Sequence, residues 1–331
     1  MPRAFLSAAL VLMAAASAAP AQEPMGPLAL RNHHPLYVGL LYPPPEAALP
    51  ARRPSFDLAL NHTSVFVRLS SPDYAAAVDK ELSELTLTAR APVWGGRAEV
   101  AVDAPFYYSS PGSFDGFVRW WHRSIGAPSY AGQVETPDNE FSDIIYYQGA
   151  VIAEGEREKF APGDITLSLK AVAARIEGAA LTVQALAQAP TGEARKGTGS
   201  GRWEYGARGL LMVTDGPVTL HAGLGAVAHG SVERIGESIA YDSTISGFAA
   251  AEWLAWPDFS LVVQSMFNTS PLPDARFTTF SKEWMDVAFG AKWRVNENFM
   301  VALGMSENLT QTAPDFTLHC AVTFMPGGEV P

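Results

Sequence analysis

The 331-residue sequence holds a single cysteine, Cys320, so no internal disulfide is available and nothing in the fold depends on an oxidising compartment. Charged residues make up only 17%, against an ordinary ~25%. No apolar run of ~18 residues follows the N-terminal stretch, which excludes a helical inner-membrane protein. There is no phosphate loop, no dinucleotide fingerprint and no cysteine cluster, so no cofactor is implied. The formal net charge of −11 argues against nucleic acid as a partner. With 48% apolar residues the chain is neither disordered nor in need of disulfide staples.

What is present begins with Arg3, a small-and-apolar run over 4–16, and the small-x-small sites Ala16-Ser17-Ala18 and Ala19-Pro20-Ala21. This predicts a signal peptide over 1–21, cut after Ala21, and hence export. No Cys follows the cut, so a lipid anchor is not expected. Residues 22–52 are Pro-rich and include Pro43-Pro44-Pro45, which no regular element runs through. They form an extended lead-in to a domain over 53–331.

From there the apolar pattern has period two. Val218, Leu220, Ala222, Leu224, Ala226 and Ala228 alternate with Thr219, His221, Gly223, Gly225, Val227 and His229. The stretches 164–173, 284–293 and 315–324 alternate in the same way. Such runs are half-apolar strands. They are close to the ~9–11 residues that cross a bilayer on a tilt, where soluble strands average ~5–6. Their polar faces carry both charge signs: Glu84, Arg90, Arg97, Glu99, Asp103, Lys170, Glu204, Arg208, Glu252, Asp286 and Lys292 are the candidate lumen-facing residues. Aromatics stand at strand ends (Phe56, Trp94, Tyr107, Trp203, Trp253, Trp256, Phe259, Phe299 and Phe324), as in an interfacial girdle. A soluble sandwich with edge aromatics is the competing reading.

Strands are predicted at 55–68, 82–93, 97–108, 164–176, 179–188, 203–213, 218–229, 245–255, 259–268, 284–294, 299–307 and 315–324, with a thirteenth candidate at 144–153. A phase slip near His62-Thr63 predicts a bulge in the first. Tight connectors (Gly95-Gly96, Glu177-Gly178, Asp215-Gly216-Pro217, Pro257-Asp258, Asn296-Glu297-Asn298) alternate with the longer segments 189–202, 230–244, 269–283 and 308–314. Outer-membrane barrels have short periplasmic turns and longer outer loops, and an even strand number. The expected fold is therefore all-β, a transmembrane antiparallel up-and-down barrel of about 12 strands, 14 if one escapes detection. Residues 109–163 then form one long outer excursion. Within it Phe114, Phe117, Val118, Trp121 and Ile125 recur at helical spacing, and Gly126 ends the run, which predicts one short amphipathic helix at the mouth. Arg119, His122 and Arg123 fall off the stripe. The helix either caps the rim or lies in the lipid interface.

The opening Gly26-Pro27-Leu28 with Arg31-Asn32-His33-His34-Pro35-Leu36 resembles the domain-of-unknown-function 3187 family. So do Phe114-Asp115-Gly116-Phe117 with Trp121-His122 and Gly126, and Gly163-Asp164-Ile165 at a strand start. The resemblance implies an exported Gram-negative outer-membrane barrel with no assigned activity, and it carries over no catalytic residue. The turn Gly126-Ala127-Pro128-Ser129-Tyr130 departs from the family pattern by lacking an Arg. The last strand resembles an outer-membrane assembly signal, with residues 325–331 extending beyond its terminal aromatic.

For chemistry, His229-Gly230-Ser231 places a histidine and a serine at i and i+2 of a strand end, within reach of each other but with no orienting third group identified. His33-His34 are adjacent in an extended segment and point opposite ways, and His221 and His319 sit on different strands, so no metal site is expected. Twelve strands lie between a filled barrel of ~8 and an open one of ~16. A plugged or narrow lumen is preferred, with 22–52 folded back into it and Arg31 finding a carboxylate there. The functional reading is an integral outer-membrane barrel of unassigned activity: a narrow passive channel or transport pathway for small molecules. Its rivals are a lipid-acting enzyme at the outer face, and a structural or adhesive barrel binding a partner through its outer loops. Outer-membrane lipid and the outer-membrane assembly machinery are the expected partners.

Overall fold

The computed structural model describes residues 23–31, 33–34, 37–126, 137–234, 237–272, 281–310, 314 and 316–327. The chain segment expected to be a signal peptide and the turn 127–130 lie outside these.

The elements in order are β1 (Ser55–Ser70), β2 (Tyr74–Val93), β3 (Ala98–Ser110), helix α1 (Asp115–Ile125), β4 (Ser142–Tyr147), β5 (Ala150–Glu154), β6 (Phe160–Pro162), β7 (Ile165–Ile176), β8 (Ala179–Ala189), β9 (Glu204–Asp215), β10 (Val218–Ala228), β11 (Gly230–Arg234), β12 (Glu237–Tyr241), β13 (Thr244–Trp256), β14 (Phe259–Asn268), β15 (Trp284–Arg294), β16 (Phe299–Asn308) and β17 (Phe316–Phe324). Twelve of them close a ring, β1-β2-β3-β7-β8-β9-β10-β13-β14-β15-β16-β17 and back to β1, every neighbouring pair antiparallel. Closure leaves no wall edge unpaired, which is what a sheet needs where no water can serve its backbone. The remaining strands decorate the outer end: β4 and β5 extend the sheet beside the upper part of β2, β6 pairs with β3, and β11–β12 is a separate hairpin.

Alternation along each wall strand sorts side chains by face. Leu58, Leu60, Val100, Leu181, Val213, Leu220, Leu224 and Leu303 point outward and are exposed. These greasy faces form one external belt and do not stack on a second sheet, which disposes of the sandwich. Trp94, Trp256, Phe299 and Phe324 ring the end with the tight turns, and Trp203 stacks on Tyr205 near the other end, centroids 6.3 Å apart and 11° between planes. Tyr107 does not belong to this girdle: it faces inward and is 2% exposed, because its odd position on β3 is a lumen position. The tight turn Trp94–Arg97 has left-handed φ at Trp94, Gly95 and Gly96, the conformation the two glycines allow cheaply.

Three further expectations change. First, β1 has no bulge: its register runs unbroken from Ser55 opposite Arg90 to Ser70 opposite Ala75, and from Phe56 opposite Phe324 to Ser64 opposite Phe316. The apolar phase flips because the belt ends there. Below His62 the outward Leu58 and Leu60 are apolar; above it the inward Val65 and Val67 are, 2% and 7% exposed. Second, β2 begins at Tyr74, well before residue 82, for the same reason: Tyr74, Ala76 and Val78 turn their apolar side inward above the belt. Third, the excursion 109–163 stays out of the wall as expected but carries more strand than its helix alone: the candidate 144–153 is the β4–β5 hairpin, and the outer segment 230–244 contains β11–β12.

Candidate functional site

The lumen is filled by the described residues of 23–52. The segment enters where the tight turns are, climbs, reverses, and comes back down, and the wall holds it through polar groups at every level. Near the entry the Glu252 carboxylate on β13 accepts from the backbone N–H groups of Met25 (2.7 Å) and Gly26 (2.9 Å), and the Lys292 ammonium on β15 donates to the Met25 carbonyl at 2.9 Å. Higher up, the Gln264 side chain on β14 bonds both the N–H (2.9 Å) and the C=O (3.0 Å) of Leu28, as a neighbouring strand would. Leu28 seats between Gly290 and Gly304; a Cβ at either position would lie 2.7 Å from its Cδ1, so only glycine leaves room.

Arg31 does find a carboxylate, Glu84 on β2, at 3.4 Å. His33 bridges Thr63 on β1 (Nδ1, 2.7 Å) and the same Glu84 (Nε2, 3.1 Å). The segment reverses at Tyr37–Leu40, where the Tyr107 hydroxyl donates to the Val38 carbonyl (3.1 Å) and the Gln188 amide to the Gly39 carbonyl (3.0 Å). On the way down the Leu41 N–H donates to Glu204 at 2.5 Å, and Arg208 donates to the Pro44 carbonyl at 2.6 Å. Glu46 then enters a buried ionic cluster, 2.5 Å from Lys170, 2.8 Å from Arg208 and 3.7 Å from Arg90. Arg90 also meets Asp57 (3.1 Å) and Glu99 (3.3 Å), and Glu99 accepts from the Ala51 N–H at 2.6 Å.

Of the lumen candidates, Glu84, Arg90, Glu99, Lys170, Glu204, Arg208, Glu252 and Lys292 thus converge on this segment or on the cluster around it. Asp103 also faces inward but bonds the neighbouring wall residue Thr88 at 2.6 Å. Asp286 is buried, 3% exposed, with one carboxylate oxygen that no group among the described residues bonds. Arg97 is a correction: it lies exposed in the β2–β3 turn, one residue before the strand begins, so it has no lumen face. Gln184, Gln188, Gln264, Asp57 and Glu46 do as much as the charged candidates. The first four stand on the same alternating faces, and counting neutral amides there would have found the glutamines.

At the outer rim, α1 and the residue before it pack onto the middle of β1 and the outer ends of β16 and β17. The Phe114 ring lies 4.9 Å from that of His62, and Phe117 lies 5.5 Å from Phe316, edge-on. Val118 is fully buried and the Trp121 indole N–H donates to Glu307 at 2.8 Å. Gly126 closes the helix with left-handed φ. His122, placed off the apolar stripe by its spacing, is buried and bonds the same Glu307 at 3.1 Å, because a rim carboxylate reaches the flank of the helix. The side chain of Ile125 lies outside the described residues.

The histidines read for chemistry have other partners. His229 sits inside the lumen between Glu204 (Nδ1, 3.0 Å) and Thr244 (Nε2, 2.7 Å), while Ser231 belongs to the outer hairpin. His33 and His34 part company, the latter packing its ring 5.0 Å from Tyr37. His221 bonds Glu252 at 3.1 Å, and His319 bonds Asn61 at 2.7 Å.

A closed twelve-strand wall with an apolar exterior and a polar interior filled by its own N-terminal segment defines an outer-membrane β-barrel of the plugged kind. The chain belongs to the family described as "Protein of unknown function (DUF3187)", which matches it over residues 4–325. No curated protein matches it. Among solved structures it is similar to the COG4313 outer membrane channel from Pseudomonas putida F1, with 11% identity and a TM-score of 0.57 over 86% of this chain and 100% of that one. It also resembles the NanC porin (8% identity, TM-score 0.49, 82% and 100%) and the Ralstonia pickettii toluene transporter TbuX (9% identity, TM-score 0.42, 92% and 96%). The first of these likenesses establishes the fold.

Proposed function

We propose that this protein is a passive outer-membrane pathway for small molecules, held closed at rest by residues 23–52. The observation that carries the reading is the chemistry of the inner wall. A lumen meant to stay filled is more cheaply packed with apolar side chains, because a buried ion pair gains little over hydrophobic residues of the same volume. Beside apolar residues such as Leu210, Met212 and Val262, this wall presents Glu99, Lys170, Glu204, Arg208, Glu252 and Lys292, each of which bonds a backbone N–H or C=O group of the segment, while Glu84 meets the side chains of Arg31 and His33. Water offers the same hydrogen bonds. The wall is therefore solvated whether the segment is in place or withdrawn, which an aqueous path requires and a permanent plug does not.

The external belt meets outer-membrane lipid, and β17 presents the alternating residues read by the outer-membrane assembly machinery. The non-enzymatic reading draws support from His229, which is committed to Glu204 and Thr244 within the lumen rather than to Ser231. The test is planar-bilayer conductance of the barrel lacking residues 23–52, with heat-modifiable gel migration as the check on folding. Sustained conductance is expected. A folded, plug-free barrel that conducts no better than bare lipid ends the proposal.

A further inference from the structure

Above the level of Glu252 and Lys292, the inward face of β13–β15 carries a mostly apolar patch, with Asp286 beside Met266 as its one charged neighbour. Phe248 on β13 pairs across the strands with Met266 on β14, and Asn268 on β14 pairs with Trp284 on β15. All four are buried. Against them stands Tyr42 of the plug, 4% exposed, its ring 6.4 Å from Trp284 and 5.8 Å from the His229 imidazole, tilted 30° to the latter. Rings at these separations attract one another.

The fit is incomplete. A cavity of about 30 Å³ remains between Tyr42 and these wall residues, room for about two waters. Trp284 and Asn268 both line the cavity, and the Trp284 indole N–H and the Asn268 side-chain oxygen are buried without a hydrogen-bond partner among the described residues. Such atoms are costly to leave unpaired. Arg31 and Arg208, on the same lining, are ion-paired with Glu84 and Glu46, so their charge is already balanced against an incoming anion, although the Arg31 Nε–H has no hydrogen-bond partner among the described residues.

We propose that this face is a binding slot for a small, uncharged, hydroxylated aromatic compound, and that Tyr42 occupies it while the lumen is closed. Tyr42 supplies the ring but leaves the wall's donor and acceptor unused. A free phenolic hydroxyl satisfies both, accepting from the Trp284 N–H and donating to the Asn268 oxygen. The inference rests on the channel reading above and names the solute class that reading leaves open.

The test titrates the full-length Tyr42→Ala protein in detergent with p-cresol (the tyrosine side chain as a free molecule), toluene and cyclohexanol, by calorimetry. p-Cresol is expected to bind about tenfold tighter than toluene, the size of effect one well-made hydrogen bond to a buried group commands, and tighter than cyclohexanol, which keeps the hydroxyl but loses the ring contacts. Adding Trp284→Phe to Tyr42→Ala is expected to bring p-cresol down to the toluene level. Equal affinities, which a hole filled by anything of the right volume gives, overturn the proposal, and so does the absence of binding. Leu28→Ala opens a hole elsewhere in the plug and should show no preference; a p-cresol preference there overturns the assignment as well. If Tyr42→Ala fails to fold, the wild-type chain decides. p-Cresol competes with Tyr42 and so speeds tryptic cleavage after Arg31 more than toluene does; equal or no acceleration overturns it. A plug-free barrel that conducts without p-cresol preference in Tyr42→Ala sinks the slot and leaves the channel. Selective p-cresol binding in a barrel that never conducts sinks the channel and leaves the slot.

Discussion

Glu46 is the point at which the closed state is most open to perturbation. Its carboxylate lies 2.5 Å from the Lys170 ammonium and 2.8 Å from the Arg208 guanidinium, with Arg90 at 3.7 Å and the Gln184 amide at 3.3 Å. The Lys170 and Arg208 side chains are 3% and 4% exposed. Glu46→Gln keeps the volume and removes the charge. Lys170 retains Glu99 at 3.2 Å, but Arg208 keeps only neutral partners: Gln184 and the Pro43 and Pro44 carbonyls. Removing one partner of a buried ion pair costs about 3–5 kcal/mol. The cost falls almost wholly on the closed state, since water solvates both arginines and Lys170 once the segment leaves. At 1.4 kcal/mol per decade the closed-to-open ratio falls by roughly two to three and a half decades. The assay is open probability in planar bilayers, read beside a neutral control such as Glu158→Gln on the exposed outer surface. A folded Glu46→Gln barrel whose openings match wild type refutes the reasoning, because the ionic cluster would then not be what retains the plug.

Other outcomes follow from the same geometry. Leu224→Arg, midway along β10 on the outward face and 59% exposed, should lower unfolding stability in lipid vesicles by about 2–4 kcal/mol; an unchanged urea midpoint would show that this face does not meet acyl chains. Gly304→Val drives a side chain into the seat of Leu28, so the plug should become more susceptible to trypsin at Arg31, and Leu28→Ala in the same chain should restore protection. Glu307→Gln weakens the hold on both Trp121 and His122, and is expected to raise proteolysis around α1 on intact cells by several-fold while the barrel stays heat-modifiable; equal cleavage in the two proteins would mean the aromatic contacts alone dock the helix.

The wall was largely legible in advance, and the plug's contacts were not. Period two belongs to the pleat of a single strand, so Val218–Ala228 shows its two faces with no knowledge of its neighbours. The alternation of tight and long connectors then fixes strand direction, and parity fixes twelve over thirteen. Even a segment that folds back, with Arg31 seeking a carboxylate, follows from a lumen lined with unpaired charge. Which carboxylate it meets does not. Glu84 is reached across more than fifty residues, and Glu252 receives Met25 across 227, because closure of the ring and the path of the plug decide which wall strands face each other.

The two surprises on β1 and at Arg97 have a related origin. Local pattern reports polarity, and polarity changes meaning with height. Apolar residues face outward within the belt and inward above it, so an unbroken strand imitates a bulge at His62, and a charged residue at a turn imitates one in the lumen. Sequence alone determined the twelve wall strands within the belt, their faces there and the closed antiparallel wall, since each follows from interactions between near neighbours along the chain. Only the tertiary structure decided what fills that wall, since hydrogen bonds between residues hundreds of positions apart have no periodic signature.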